Sequence, residues 1–117
     1  MRHQRWLVLL AVLLVSVVIT ACPKQTTIAQ INQDPAEFRD RDVAIRGEVV
    51  NSFGALGPGA YEVDDGTGRI WVITERGVPS RGARVRLVGR VTSGVTVAGR
   101  TFGNVIRERE RELRRAG

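Results

Sequence analysis

Apolar residues follow two different spacings along this chain, and each predicts a different element. From Trp6 to Ala21 they run on without a charge. From Val43 to Phe53 they alternate, with Val43, Ile45, Gly47 and Val49 on one face and Ala44, Arg46, Glu48 and Val50 on the other, the pattern of a half-buried strand. Arg84 to Thr92 repeats it, with Val85, Leu87, Gly89 and Val91 inward and Arg84, Arg86, Val88 and Arg90 outward. Between these lies Tyr61 to Ile73, which reads as strand, tight turn, strand. Its ends are β-branched and aromatic, and Asp64, Asp65, Gly66, Thr67 and Gly68 carry the turn-forming residue types. Gly66, Gly68 or both are expected at positive φ. Val95 to Ala98 and Thr101 to Ile106, punctuated by Gly94 and Gly99, give a fifth strand pair.

The segments between strands are turn-rich. Ser52 to Gly59 and Glu75 to Gly82 are loops built on glycine and proline. Upstream, Ile28 to Ile31 suggests one helical turn, and Asp34-Pro35-Ala36-Glu37 marks a helix start with a capping box. Arg107 to Arg115 alternates arginine with glutamate. It reads as a solvated, frayed terminus, or as a surface for anionic headgroups or a partner. Glycine at the middle of the inward face in both Val43–Val49 and Val85–Val91 implies sharp bending or close packing. Two such coiled strands in a five-stranded all-β chain point to a small closed barrel, with a short N-terminal helical segment and a signal helix before it.

The start of the chain carries an address. Arg2, His3 and Arg5 precede the apolar run, and small residues lead into Cys22, the layout of a secretory signal. Ile19-Thr20-Ala21-Cys22 resembles the lipobox of bacterial lipoproteins. That resemblance implies cleavage before Cys22, a diacylglyceryl chain on its thiol and an anchored envelope protein. Pro23 stands where many Gram-negative lipoproteins held at the inner membrane have Asp, so a Gram-negative host implies the outer membrane, facing the periplasm. The alternative is an uncleaved anchor, since 18 uncharged residues from Trp6 to Pro23 reach the low edge of the roughly 17–25 that span a bilayer. The chain divides as signal 1–21, tether 22–27, domain 28–106 and charged tail 107–117.

The glycine-kinked first strand, the Asp-Asp-Gly-Thr-Gly hairpin and the V-x-L-x-G-x-V fourth strand resemble the OB fold over Val43 to Ile106. The nearest branches are the anticodon-binding and replication-protein-A-like types, together with exported bacterial OB-fold proteins. The usual helix between strands three and four is absent or reduced here, because Thr74 to Gly82 contains Gly77 and Pro79. The resemblance implies a ligand face on strands two and three, with Ile70 and Val72 inward and Trp71 outward. Cover from Ile31, Phe38 or Leu113 is the competing arrangement for Trp71.

Composition narrows the chemistry. His3 is the only histidine and Cys22 the only cysteine; both lie in or beside the leader. The domain therefore lacks a Ser–His or Cys–His pair and a zinc site, and no cofactor and no catalysis are expected. Asp64 and Asp65 are assigned to turn hydrogen bonding. Eighteen basic residues face twelve acidic ones, yet Lys24 to Ile106 is close to neutral, unlike most nucleic-acid binders. Trp71, Arg69, Arg84, Arg86 and Arg90 form the candidate ligand set. The expected function is a membrane-anchored, non-catalytic binding module for an envelope protein or small ligand. Single-stranded nucleic acid is the alternative, and a structural role in an envelope assembly a third.

Overall fold

The computed structural model describes residues 25–54, 57–97 and 99–114, without the side chain of Arg114. The signal segment and Cys22 lie outside the described residues. Two short helices, α1 (Ile28–Gln33) and α2 (Pro35–Phe38), precede five strands: β1 (Asp42–Phe53), β2 (Gly59–Asp64), β3 (Arg69–Thr74), β4 (Arg84–Val97) and β5 (Arg100–Arg114). No described helix is long and apolar enough to cross a membrane.

Strand neighbours follow the order β1-β2-β3-β5-β4, with β4 paired in turn to β1. All ladders are antiparallel except β3 with β5. The expectation of a small five-stranded all-β barrel needs correcting: the described residues form a mixed sheet with two short helices, closed through the β3–β5 seam, and β4 and β5 run on beyond it. The sheet coils round on itself, but its β3–β5 seam has only three parallel pairs, Trp71 with Val105, Val72 with Ile106 and Ile73 with Arg107. Strand lengths explain the departure. β2 and β3 have 6 residues each, whereas β4 has 14 and β5 has 15. The surplus of β4 and β5 cannot share one wall with the short strands. It continues beyond the closed part of the sheet as a two-stranded ribbon, Val95 opposite Phe102 and Val97 opposite Arg100. The separate fifth strand pair expected from the sequence is this ribbon.

The inward pattern is as expected. Val43, Ile45, Val49, Val63, Ile70, Val72, Val85, Leu87, Val91 and Ile106 form one core with Tyr61 and with Ile28 and Ile31 of α1. Each such side chain contributes roughly 1.5–3 kcal/mol by leaving water. Gly47 and Gly89 are where neighbouring backbones come closest. A β-carbon on Gly47 would lie 2.5 Å from the Asp64 carbonyl oxygen.

The N-terminal segment differs from its sequence reading. The Asp34 start yields only the four-residue α2, with no buried residue. α1 is the better-built helix. Thr27 accepts from the Gln30 amide and Gln30 Oε1 accepts from the Thr27 amide, a full capping box. The β2–β3 turn completes the cap, because Asp65 Oδ2 accepts from Ile28 N at 2.9 Å and Thr67 Oγ1 from Ala29 N at 3.1 Å. These are amides that a helix end leaves without partners. Burial raises the Asp65 carboxyl, but hydrogen bonds from Ile28, Thr67 and Gly68 outweigh it and hold the group below its usual range.

Of the two hairpin glycines, Gly66 has φ 87° and Gly68 does not have positive φ. Gly66→Val is therefore expected to destabilise the domain by about 1 kcal/mol or more. Chemical denaturation measures it, and an unchanged midpoint would remove the backbone argument.

Candidate functional site

Alternation along β3 turns Arg69, Trp71 and Ile73 away from the main core, as the resemblance implied for Trp71. Opposite them on β2 stand Asp64, Glu62 and Ala60. This outer face is not bare. The β4–β5 ribbon folds onto it, so Ala60, Ile73, Val95, Val97, Phe102 and Val105 make a second buried cluster. Phe53 and Trp71 pack at its margin, each half-buried. The Trp71 and Phe102 ring centroids are 5.1 Å apart, and Phe53 meets Phe102 edge-on at 6.1 Å. The Arg100 guanidinium stands over all three rings, 5.0 Å from Trp71, 5.0 Å from Phe102 and 5.4 Å from Phe53.

The cover on Trp71 thus comes from Phe102 and Arg100. Ile31 lies in the main core, Phe38 packs against it, and Leu113 is 51% exposed. Arg100, Phe53 and Phe102 were missed by sequence reasoning. Their available signal was the period-two placing of Val95, Val97, Phe102 and Arg100 about Gly99, which marks a ribbon with one apolar face.

The candidate arginines separate. Arg69 shares the Trp71 face and pairs with Asp64 at 3.1 Å. Backbone donation from Gly66 and the Arg69 guanidinium hold the Asp64 carboxyl below its usual range. Glu62, directly across from Trp71, accepts from Asn51 at 2.7 Å. Arg84, Arg86 and Arg90 lie instead along the outward face of β4, between β1 and the distal part of β5. Arg84 and Arg86 line a shallow cleft of about 570 Å³ with Arg46, Glu48, Asp65 and Glu112.

The C-terminal run is not frayed as expected, although Arg107, Arg109, Glu110 and Glu112 are exposed. It continues β5 as far as Arg114, and a register shift leaves Arg109 without a residue opposite it in the ladder, with Val88 opposite Glu110 and Gly89 opposite Glu108. In a regular strand, residues three apart face opposite sides. The extra residue places Glu108 and Arg111 on the same, inward side. The Glu108 side chain, 1% exposed, accepts hydrogen bonds from the Tyr61 hydroxyl and, at 2.7 Å, from Thr74 Oγ1. Arg111 pairs with it at 3.4 Å and donates to the Gly77 carbonyl at 2.8 Å. Arg111 thereby ties down the loop of residues 75–83, which contains no helix. Burial first, and then the Glu108 carboxylate, push the Tyr61 phenol well above its usual range. This network holds structure together; its carboxylate is closed to solvent. Among the described residues no cluster of His, Cys, Asp and Glu is placed to hold a metal ion.

No family model matches this chain, and no curated protein matches it. Solved structures do. An OBody bound to hen egg-white lysozyme aligns over 82% of this chain and 100% of its own, with TM-score 0.59 and 20% identity. A replication protein A heterotrimer bound to ssDNA matches over 77% of this chain and 80% of its own, with TM-score 0.56 and 23% identity. A protein described as an aspartyl-tRNA synthetase from Leishmania major Friedlin matches over 85% of this chain but only 25% of its own, with TM-score 0.56 and 11% identity. At these identities the likeness establishes the fold. The domain is OB-fold-like.

Proposed function

We propose that this chain is a non-catalytic binding module, held at the cell envelope by a lipid on Cys22. It takes an envelope protein partner, or a small ligand, on the face around Trp71. One observation carries the reading: two half-buried aromatic rings, Phe53 and Trp71, lie under one exposed guanidinium, Arg100, on the outer sheet face. Flat rings with a movable cation above them offer contact area and a polar anchor at low entropic cost. The lysozyme-bound OBody supports a protein partner for such a scaffold.

The alternative, single-stranded nucleic acid, draws on the ssDNA-bound replication protein A and on the same stacking rings. Two features weigh against it. Glu62 and Asp64 share the Trp71 face and repel phosphate. Arg84, Arg86 and Arg90 do not surround the rings. A structural role in an envelope assembly differs only in the permanence of the contact.

The leader supports the address. A basic start, an apolar run and Ile19-Thr20-Ala21-Cys22 together favour a lipidated envelope protein, with Pro23 favouring the outer membrane in a Gram-negative host. Residues 1–21 are then signal and the mature protein starts at Cys22. Mass spectrometry of the N-terminal peptide tests this; an unmodified thiol or a retained 1–21 segment ends it.

Binding is tested by pull-down from detergent-solubilised membranes with the parent chain and Trp71→Ala. The parent is expected to retain a partner that Trp71→Ala loses by about tenfold or more, while the variant stays folded. Equal retention overturns the site. Salt-dependent capture of oligonucleotides in place of a protein overturns the favoured partner.

A further inference from the structure

A second surface is formed where the chain enters the sheet. Arg39 bridges to Val91, Asp40 N donates to the Val91 carbonyl at 2.9 Å, and Val91 N donates to the Arg41 carbonyl at 3.1 Å. These contacts set Arg39 and Arg41 beside Arg90. Arg90 in turn stands directly across from Arg107 on β5 and Asp42 on β1. Arg39, Arg41, Arg90, Arg107 and Arg109 are all exposed. Like charges opposite each other across a ladder cost stability, yet Arg90 and Arg107 are so placed. Asp42 alone serves two guanidinium groups, Arg109 at 3.0 Å and Arg90 at 3.7 Å. With Asp40 and the exposed Glu110 counted, five positive charges meet three negative ones. Such an excess, kept at a cost, fits an anionic partner.

The direction of the chain says which partner. Gln25 pairs in parallel with Ala44, and Thr26 N donates to the Ala44 carbonyl at 2.9 Å. A parallel partner of β1 is approached from the Asp42 end, the end that carries the five arginines. The expected tether of residues 22–27 is shortened by this pairing. Cys22 is only three residues before Gln25, a reach of about 10 Å when extended. A lipid there brings the bilayer surface up to this end of the sheet.

We propose that Arg39, Arg41, Arg90, Arg107 and Arg109 dock on anionic phospholipid headgroups beside the domain's own anchor, fixing its orientation on the membrane. This rests on the reading of Cys22 as the anchor. Basic residues held at an anionic surface strengthen partition by about fivefold each, and one lipid signal plus a basic patch anchors better than either alone. A domain fixed at this end leaves the Trp71 face, built on β3 and the β4–β5 ribbon, for its partner.

The test uses the full chain isolated from membranes and reconstituted into two kinds of vesicle, phosphatidylcholine alone and phosphatidylcholine with phosphatidylglycerol. Arginines are modified with phenylglyoxal and the peptides read by mass spectrometry. Phosphatidylglycerol is expected to slow modification of the five residues by about fivefold. Arg69 and Arg81 should be unaffected, and high salt should abolish the protection. Arg90→Gln/Arg107→Gln should stay in the vesicles and lose the protection of Arg39 and Arg41. Equal rates in the two vesicles, in a chain whose Cys22 peptide is lipidated, overturn the proposal. An unmodified Cys22 peptide reports failure of the anchor reading separately.

Discussion

Glu108→Ala is expected to destabilise the domain by about 3–5 kcal/mol, seen as a large fall in the denaturation midpoint. The carboxylate is the common acceptor for Tyr61, Thr74 and Arg111. Removing it leaves the Arg111 guanidinium, 13% exposed, without its counter-charge, and the Tyr61 and Thr74 hydroxyls without that acceptor. Buried polar groups stripped of a partner lose far more than a hydrogen bond contributes net. The charge argument has its own check. Glu108→Leu with Arg111→Leu together should cost clearly less than the sum of the single changes, since no lone charge remains. A single Glu108→Ala change within about 1 kcal/mol of the parent contradicts the account.

The same network sets an alkaline limit. Tyr61 in the fold keeps its proton well above the usual tyrosine range, whereas the unfolded chain releases it at about pH 10. Above that pH the unfolded state binds fewer protons than the native one, so stability falls as pH rises. Below it the contribution is fully present. Tyr61→Phe should flatten the decline, and a parent whose stability is level from neutral pH to pH 11 would rule out the mechanism.

Gly89→Val is expected to cost about 3 kcal/mol and to lower expression of folded protein. An ideal β-carbon at Gly89 lies 2.3 Å from the Arg107 carbonyl oxygen and 2.5 Å from Ile106 Cγ2. The first of these is backbone, so it cannot rotate away. β4 and β5 would have to part at the bulge that turns Glu108 inward. Gly103→Ala is the control. It lies on the same β5, has nothing within 4 Å of its β-carbon and has no positive φ. That change should stay within about 0.5 kcal/mol. Equal losses at both positions would show that any side chain on β5 or its neighbour disturbs the sheet.

The sequence by itself determined whatever depends on neighbours along one strand. Val43 to Val49 and Val85 to Val91 show their inward faces because side chains alternate at every residue. The Asp64 to Gly68 turn shows itself because few residue types tolerate its backbone. Gly47 and Gly89 announced a close approach because only a residue without a β-carbon leaves room for the neighbouring backbone. What only the tertiary structure decided depends on which strands meet, and at what register. The Arg107 to Arg115 alternation reads as solvated charge until Arg109, which has no residue opposite it in the ladder, brings Glu108 and Arg111 to one side, over Tyr61 and Thr74. Trp71 reads as bare, or as covered by Ile31, Phe38 or Leu113, until the excess length of β4 and β5 carries Phe102 and Arg100 across it. A one-residue register shift reverses which face a side chain serves and leaves no mark in the local pattern, whereas the ribbon about Gly99 shows an apolar face in the sequence but not the surface it covers.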